Sequence, residues 1–145
     1  QIDNEITLSE ARKSEMAVLF IDVDDFKHYN DQYSHATGDQ VLKFVARTIK
    51  GTVNEFGFAG RYGGDEFIAC IRNAEINDPT RAAQDIISKL EEGFECDGVH
   101  LTVSVSIGIS MIKDDYNTRV EYIIGKADDA MYSVKKNGKS NYAFI

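Results

Sequence analysis

The chain of 145 residues contains no tryptophan, one proline and two cysteines, and it has no long apolar run. Its longest such run, residues 16–21, is far shorter than the roughly 20 residues that a membrane-spanning helix needs. Cys70 and Cys96 form neither a CxxC pair nor a zinc-binding pattern, and Cys70 reads as a small core residue. We therefore expect a reduced, cytoplasmic domain without membrane contact of its own, although a longer parent protein can be membrane-anchored.

Basic charge is also scarce. Acidic residues outnumber basic ones by 24 to 16, which gives a formal net charge of −8 at pH 7. Binding along a nucleic acid requires a basic surface, so we expect no nucleic-acid partner. A nucleotide ligand is compatible with this charge, because a metal ion and a few lysines offset phosphate charge locally. The apolar content of 43% and charged content of 28% are typical of one soluble globular domain.

Apolar periodicity divides the chain into alternating strands and helices. Predicted strands cover residues 16–22, 58–62, 67–71, 101–111 and 141–145. Predicted helices cover residues 3–14, 26–33, 39–50, 79–92 and 119–136, the fourth starting at the Asp78 N-cap and Pro79 and the last ending at Gly138. Small polar and apolar residues alternate over 101–111, which predicts a strand that is half exposed or covered by a helix. The order predicts an α+β domain with helices packed on a mostly antiparallel sheet.

The most informative segment is GGDEF, residues 63–67. It reads as the turn of a β-hairpin, with glycines supplying positive φ and paired carboxylates at the exit. Such carboxylates suit Mg²⁺, which prefers hard oxygen ligands. If the first strand neighbours this hairpin, Asp22 faces Asp65 and Glu66, and three such carboxylates repel each other unless a cation lies among them. The structural alternatives are a solvated turn and an Asp22 that caps the following loop.

Several further segments, taken in order, resemble the signature series of the GGDEF-domain diguanylate cyclases over nearly the whole chain. These are DVDDFK at 22–27, ND at 30–31, HATGD at 35–39, RYGGDEF at 61–67, SIGI at 106–109, ADDAMY at 127–132, and then Lys135 and Gly138. The resemblance implies a palm-like, ferredoxin-like fold similar to the nucleotidyl cyclases. It also implies that residues 1–145 are one GGDEF domain from a longer signalling protein, with a sensory or dimerisation domain upstream.

The resemblance further implies a reaction, the condensation of two GTP into cyclic di-GMP with release of two pyrophosphates. Each domain binds one GTP, so the active form is a homodimer in which the 3′-hydroxyl of one GTP attacks the α-phosphorus of the other. One alternative is a catalytically silent GGDEF module that binds GTP and regulates a fused partner. A second is a dimerising module without nucleotide.

Site roles follow from the resemblance, residue by residue. The implied metal ligands, for two Mg²⁺ per half-site (or Mn²⁺), are Asp22, the Val23 carbonyl, Asp65 and Glu66. The implied catalytic residues are Asp65, as acceptor of the 3′-hydroxyl proton, Glu66 and Lys27. The implied substrate contacts are Asn30 and Asp39 for guanine, His35 beside the substrate, the Gly63 and Gly64 backbone, and Lys135 and Lys139 for the terminal phosphates. A polar loop histidine is the alternative for His35, and cations complementing a helix C-terminus are the alternative for the lysines.

Four positions depart from the family pattern. The product-inhibition motif RxxD is replaced by NEFG at residues 54–57, so we expect feedback inhibition through that site to be absent. Ser34 replaces the usual glycine before His35, which alters the loop geometry modestly. Lys139 replaces an arginine, which keeps the charge but loses the bidentate fork.

Overall fold

The computed structural model describes residues 15–112, 125, 129–130, 132–136, 138 and 141–144. The lead-in helix predicted at 3–14, much of the helix predicted at 119–136, and Lys139 lie outside the described residues. Residues 132–136 are helical, and Gly138 has φ of 115°, in keeping with the predicted helix end.

A five-stranded sheet forms the centre of the domain. Its strands are β1 (Met16–Val23), β2 (Gly57–Arg61), β3 (Glu66–Arg72), β6 (Val105–Ile112) and β7 (Tyr142–Phe144), in the spatial order β2-β3-β1-β6-β7. All neighbours pair antiparallel except β6 and β7, which are parallel. Strand β1 is therefore central, with the hairpin β2–β3 on one side and β6 on the other.

Alternate residues of the central strands are buried on opposite faces of the sheet. On one face, Leu19 and Ile21 of β1 join Ile107 and Ile109 of β6 in the main core. On the other face, Val18 of β1 and its neighbours form a second, smaller cluster. Burial on both faces explains why β1 is a continuous apolar run instead of an alternating one.

Within residues 15–112, three helices flank the sheet: α1 (Phe26–Gln32), α2 (His35–Val53) and α3 (Pro79–Glu92). Helices α2 and α3 place apolar stripes in the main core. The Asp78 carboxylate accepts from the Thr80 amide at 2.9 Å, which confirms the predicted N-cap of α3.

The start at residue 39 of the helix predicted at 39–50 was wrong. Helix α2 begins four residues earlier, because the Ser34 hydroxyl accepts from the Thr37 amide at 3.1 Å and acts as the N-cap. Gly38 consequently lies inside the helix, where it is buried. Ser34, a departure from the family pattern, therefore has a clear local role.

The strand predicted at 101–111 was wrong at its start, whereas its burial agrees with the second of the two predicted alternatives, a strand covered by a helix. Val99–Leu101 forms a strand, β5, that pairs with β4 (Phe94–Cys96) in a separate two-stranded sheet, and the central strand starts only at Val105. The turn between β4 and β5 is Asp97-Gly98, with φ of 50° and 80°. Strand β6 is buried almost throughout, including Ser106 and Ser110.

The predicted architecture is confirmed: an α+β domain with a mostly antiparallel, palm-like sheet and flanking helices. Among the described residues, no helix combines the length and the apolar character that crossing a bilayer demands.

Candidate active site

Three strands meet at the end of β1 that carries Asp22. Asp22 is paired with Glu66 on β3 and with Ser106 on β6. The Val23 amide donates to the Asp65 carbonyl at 3.1 Å, which ties the hairpin turn to the end of β1. The structure thus brings Asp22 next to Asp65 and Glu66, as the order of strands predicted.

The glycine turn differs from the prediction in its backbone. Neither Gly63 nor Gly64 has positive φ; the described glycines that do are Gly93, Gly98 and Gly138. A Cβ at Gly63 would lie 2.9 Å from the Oε1 of Glu66, whereas a Cβ at Gly64 would meet no atom of the described residues within 4 Å. Gly63 therefore avoids a side-chain clash, and Gly64 leaves open space beside the turn.

Arg61, which the sequence did not single out, holds this turn in place. Its Nε donates to the carbonyls of Gly63 and Gly64 at 3.0 Å each, and its Nη2 donates to the Gly64 carbonyl at 2.6 Å. Arginine presents several donors in a rigid fork, so one side chain satisfies both turn carbonyls.

A pocket of about 410 Å³ opens between this turn and the first two helices. Helix α1 contributes residues from its first two turns, helix α2 contributes its N-terminal half, and the hairpin contributes the turn. The lining residues are Phe26, Lys27, Asn30, His35, Asp39, Leu42, Arg61, Gly64 and Asp65. Six predicted site residues therefore share one pocket: Lys27, Asn30, His35, Asp39, Gly64 and Asp65.

The side chain of Lys135 reaches the C-terminal end of β1. Its ammonium is 3.1 Å from Asp22 Oδ2 and 3.1 Å from Asp24 Oδ1. Helical residues 132–136 thus bring this lysine beside the implied metal ligand, while its predicted role at the substrate phosphates stays a prediction.

Asp24 is a second residue of the site, besides Arg61, to which the sequence pattern gave no role. It is only 4% exposed, and its carboxylate accepts from the Ser104 hydroxyl at 2.5 Å, the Ser106 hydroxyl at 2.7 Å and the Lys135 ammonium. Its amide also donates to the Ser104 carbonyl at 2.9 Å. The buried charge is therefore compensated by hydrogen bonds from both β6 and the C-terminal helical segment.

The pKa of the Asp22 carboxyl is raised to about 6, and burial is the largest cause. Lys135 acts to lower this pKa, and the negative charges of Asp65 and Glu66 contribute to its rise. Burial acts to lower the pKa of Lys135, but hydrogen bonds and charge from Asp22 and Asp24 outweigh it, so the pKa lies above its ordinary value. The lysine is therefore held as a cation between two carboxylates.

Asp22 also offers an acceptor that fits a divalent cation. Its Oδ1 is buried and has no hydrogen-bond partner among the described residues, and an unsatisfied carboxylate oxygen in such a position is costly. No group of three His, Cys, Asp or Glu side chains within the described part of the chain is arranged to hold a metal by itself. The hard-oxygen set of Asp22 and Asp65 nevertheless suits Mg²⁺, which commonly takes only one or two carboxylates and completes its shell with water and substrate phosphate.

Gly57 occupies the position of the aspartate in the replaced RxxD motif. A Cβ there would overlap the carbonyl oxygen of Cys70 on the paired strand. The local backbone therefore has no room for any side chain at this position, and the absence of feedback inhibition through it stays a prediction.

Two histidines, His35 and His100, differ in their surroundings. The two ring nitrogens of His100, on β5, lie at hydrogen-bond distance from Glu95 Oε1 (3.2 Å) and from the carbonyl of Glu92, the last residue of α3 (2.8 Å). This is a structural role. His35, by contrast, lines the pocket of the site.

Comparison with known proteins identifies the family. The protein-family model described as "Diguanylate cyclase, GGDEF domain" matches residues 1–141. The chain is 38% identical over 136 residues to Diguanylate cyclase A of Treponema denticola, covering 93% of this chain and 36% of that protein. It is also 38% identical over 129 residues to the bifunctional diguanylate cyclase/cyclic di-GMP phosphodiesterase MucR of Pseudomonas aeruginosa, covering 89% of this chain and 19% of that protein. The chain thus spans about a third or less of these curated relatives.

A solved structure agrees with the sequence match. The crystal structure of the GGDEF domain of YfiN from Pseudomonas aeruginosa superimposes with a TM-score of 0.89 at 32% identity, covering 98% of this chain and 89% of that one. The fold, the ordered motifs and the family match agree, and the chain belongs to the GGDEF-domain family of diguanylate cyclases.

Proposed function

We propose that this domain is one half-site of an active diguanylate cyclase. Each domain binds one GTP, and two domains in a homodimer condense two GTP into cyclic di-GMP with release of two pyrophosphates. The observation that carries the proposal is the single pocket in which Asn30 and Asp39, suited to a base, lie with Lys27 and Asp65, suited to phosphate chemistry.

Guanine is the base that fits this pocket. A carboxylate such as that of Asp39 accepts from guanine N1–H and from the exocyclic amine, a donor pair that adenine lacks. The Asn30 amide both donates and accepts, so it complements the same edge of the base. The pocket volume of about 410 Å³ is within the range of small-molecule sites.

The reaction requires a proton acceptor and a positive charge near the phosphates. Asp65 accepts the proton of the 3′-hydroxyl as the new bond from that oxygen to the α-phosphorus forms and the bond to pyrophosphate breaks. Lys27 neutralises the charge that develops on the phosphate oxygens. The open space beside Gly64 lets the turn backbone approach the phosphates.

We assign Asp22, the Val23 carbonyl, Asp65 and Glu66 to hold Mg²⁺ or Mn²⁺, two ions per half-site. The bound cation would lower the pKa of the attacking hydroxyl and neutralise phosphate charge. Glu66 supports this arrangement from the position opposite Asp22 on β3. Lys139 and Lys135 contribute positive charge for the terminal phosphates.

Activity requires two copies, because each domain supplies one GTP and one Asp65. Both curated relatives are much longer than this chain, so we propose that a neighbouring domain of the parent protein drives the pairing. For the experiment, the domain is therefore fused to a parallel coiled coil, incubated with GTP and Mg²⁺, and assayed for cyclic di-GMP by chromatography.

The fusion should form cyclic di-GMP and pyrophosphate in a 1:2 ratio. Asp65→Asn, which keeps the shape but cannot accept the proton, should lower the rate by at least about a hundredfold, and full activity in this variant would exclude Asp65 as the acceptor. GTP binding without product would favour the silent regulatory module. No GTP binding at all would favour the dimerising module without nucleotide.

A further inference from the structure

The ammonium of Lys135 lies where a metal ion is expected to bind. It is 3.1 Å from Asp22 Oδ2 and 3.1 Å from Asp24 Oδ1, and its side chain is only 22% exposed. Both carboxylates belong to the end of β1 and the turn after it, and the lysine reaches them from a segment more than a hundred residues away. The contact is therefore specific to the folded site.

The two carboxylates are not equivalent. The Asp24 carboxylate is satisfied by two serine hydroxyls as well as by Lys135, and it is only 2% exposed as a side chain. The Asp22 carboxylate has Lys135 on one oxygen, while its other oxygen is buried and finds no partner in the part of the chain that the structure describes. Asp24 is thus a fixed anchor, and Asp22 has unused capacity for a cation.

We propose that the Lys135 ammonium occupies the cation position beside Asp22 in the metal-free protein. When a divalent cation binds, the ammonium leaves Asp22 and remains bound to Asp24. This inference rests on the metal site of the proposed function and goes beyond it, since it assigns Lys135 a role before any nucleotide binds. A buried carboxylate without a cation is costly, so the lysine keeps the metal-free site folded. Asp24 retains the ammonium near the site after the exchange.

The exchange gives the effect of Lys135 on metal binding a definite sign. The ammonium both occupies Asp22 and repels an incoming cation across a few ångströms of partly buried space. Removing it should therefore tighten metal binding in the absence of nucleotide. If Lys135 contacted only substrate phosphates, its removal would leave nucleotide-free metal affinity unchanged.

The test titrates Mn²⁺ alone, without nucleotide, into Lys135→Met and measures free Mn²⁺ by electron paramagnetic resonance under anaerobic conditions at pH 8, where protons compete little with the metal. Lys136→Met is the matched control, because it removes the same net charge from an exposed neighbour that lies over the Tyr132 ring. Lys135→Met should bind Mn²⁺ at least about fivefold more tightly than the wild type, and Lys136→Met should bind it within about twofold of the wild type. Affinity in Lys135→Met that is equal to or weaker than the wild type would overturn the proposal.

A second measurement uses the unaltered chain, so that it stands if Lys135→Met fails to fold. With ¹⁵N-labelled lysine, the Nζ resonance of Lys135 should shift as Mg²⁺ saturates the protein, while that of Lys136 stays in place. An unmoved Lys135 resonance at saturation would refute the exchange. Both readouts are independent of turnover, so a catalytically silent domain, in which the proposed function fails, still tests this inference.

Discussion

Gly38 of α2 lies directly against the side-chain amide of Asn30 on α1. A Cβ at residue 38 would overlap Asn30 Oδ1 and would lie 3.3 Å from Phe26 Cζ. The missing side chain is therefore what lets the two helices approach and lets Asn30 share a pocket with Asp39. A glycine in a helix interior is unfavourable by roughly 0.5–1 kcal/mol relative to alanine, so its presence points to this close contact.

The first prediction concerns this contact. Gly38→Ala should push Asn30 out of the pocket and weaken GTP binding by about tenfold, the equivalent of one lost hydrogen bond, and should destabilise the fold by about 1–3 kcal/mol through overpacking. Calorimetric GTP titration and thermal melting measure both effects. Gly51→Ala is the control in the same helix, because its Cβ would meet nothing within 4 Å in the residues for which the structure gives a position. It should bind GTP normally, and unchanged GTP affinity in Gly38→Ala would show that Asn30 does not read the base.

The second prediction concerns base selection. Asp39→Ala removes the acceptor for guanine N1–H and the exocyclic amine. The binding free energy of GTP should therefore become less favourable by about 1–3 kcal/mol, while that of ATP should change little. The measurement is the ratio of GTP to ATP dissociation constants, by competition against a fluorescent nucleotide. Asp31→Ala is a control on α1, an exposed carboxylate that does not line the pocket. An unchanged ratio in Asp39→Ala would assign base selection to other residues.

Local sequence patterns predicted the elements that local physics decides. The apolar run of β1, the hairpin β2–β3 and the Asp78 cap of α3 depend on nearby residues, and all three are present. The start of α2 was missed because Gly38 resembled a helix boundary. Its tolerance inside the helix depends on Asn30, which no local pattern reveals.

The buried network around Asp24 was the larger omission. Ser104, Ser106 and Lys135 lie 80, 82 and 111 residues from Asp24 along the chain. The serines left 101–111 open to two interpretations, a half-exposed strand or one covered by a helix, and the hydroxyls of Ser104 and Ser106 in fact face a buried carboxylate. Polar residues that satisfy each other in the core carry the same periodic signal as polar residues in water, so only the fold separates the two cases. The β4–β5 hairpin, in contrast, had a readable signal in the dipeptide Asp97-Gly98.

The third prediction concerns Arg61 and its hydrogen bonds to the turn of the GGDEF segment. Arg61 holds the carbonyls of Gly63 and Gly64, and Asp65 follows directly. Arg61→Met should lower kcat by about tenfold or more, because a small misplacement of a reacting group is costly, while the melting temperature changes by only a few degrees. Arg61→Lys should recover little, since lysine lacks the fork. Arg47→Met, at an exposed arginine of α2, is the control. A kcat near the wild-type value in Arg61→Met would show that catalysis does not depend on the Arg61 hydrogen bonds to the turn.

The last prediction concerns Tyr29, whose hydroxyl donates to the Thr102 carbonyl at 2.7 Å and so ties α1 to the segment before β6. Tyr29→Phe should lower the free energy of unfolding at pH 7 by about 1 kcal/mol. Burial raises the pKa of Tyr29, and the charges of Tyr33, Asp24 and Asp25 add to the rise. The stabilisation by neutral Tyr29 is therefore complete below the unfolded pKa of about 10 and is lost as pH rises through the folded pKa.

The difference in stability between wild type and Tyr29→Phe should accordingly be constant from pH 7 to 9 and should shrink above pH 10, because only the wild type loses the Tyr29 contribution. Urea unfolding at several pH values measures this difference. Tyr33→Phe, at a 46% exposed tyrosine four residues further on, should match the wild type at pH 7. A difference for Tyr29→Phe that stays constant through pH 11 would mean that Tyr29 titrates alike in the folded and unfolded chains, and would contradict the stabilising role of its neutral hydroxyl.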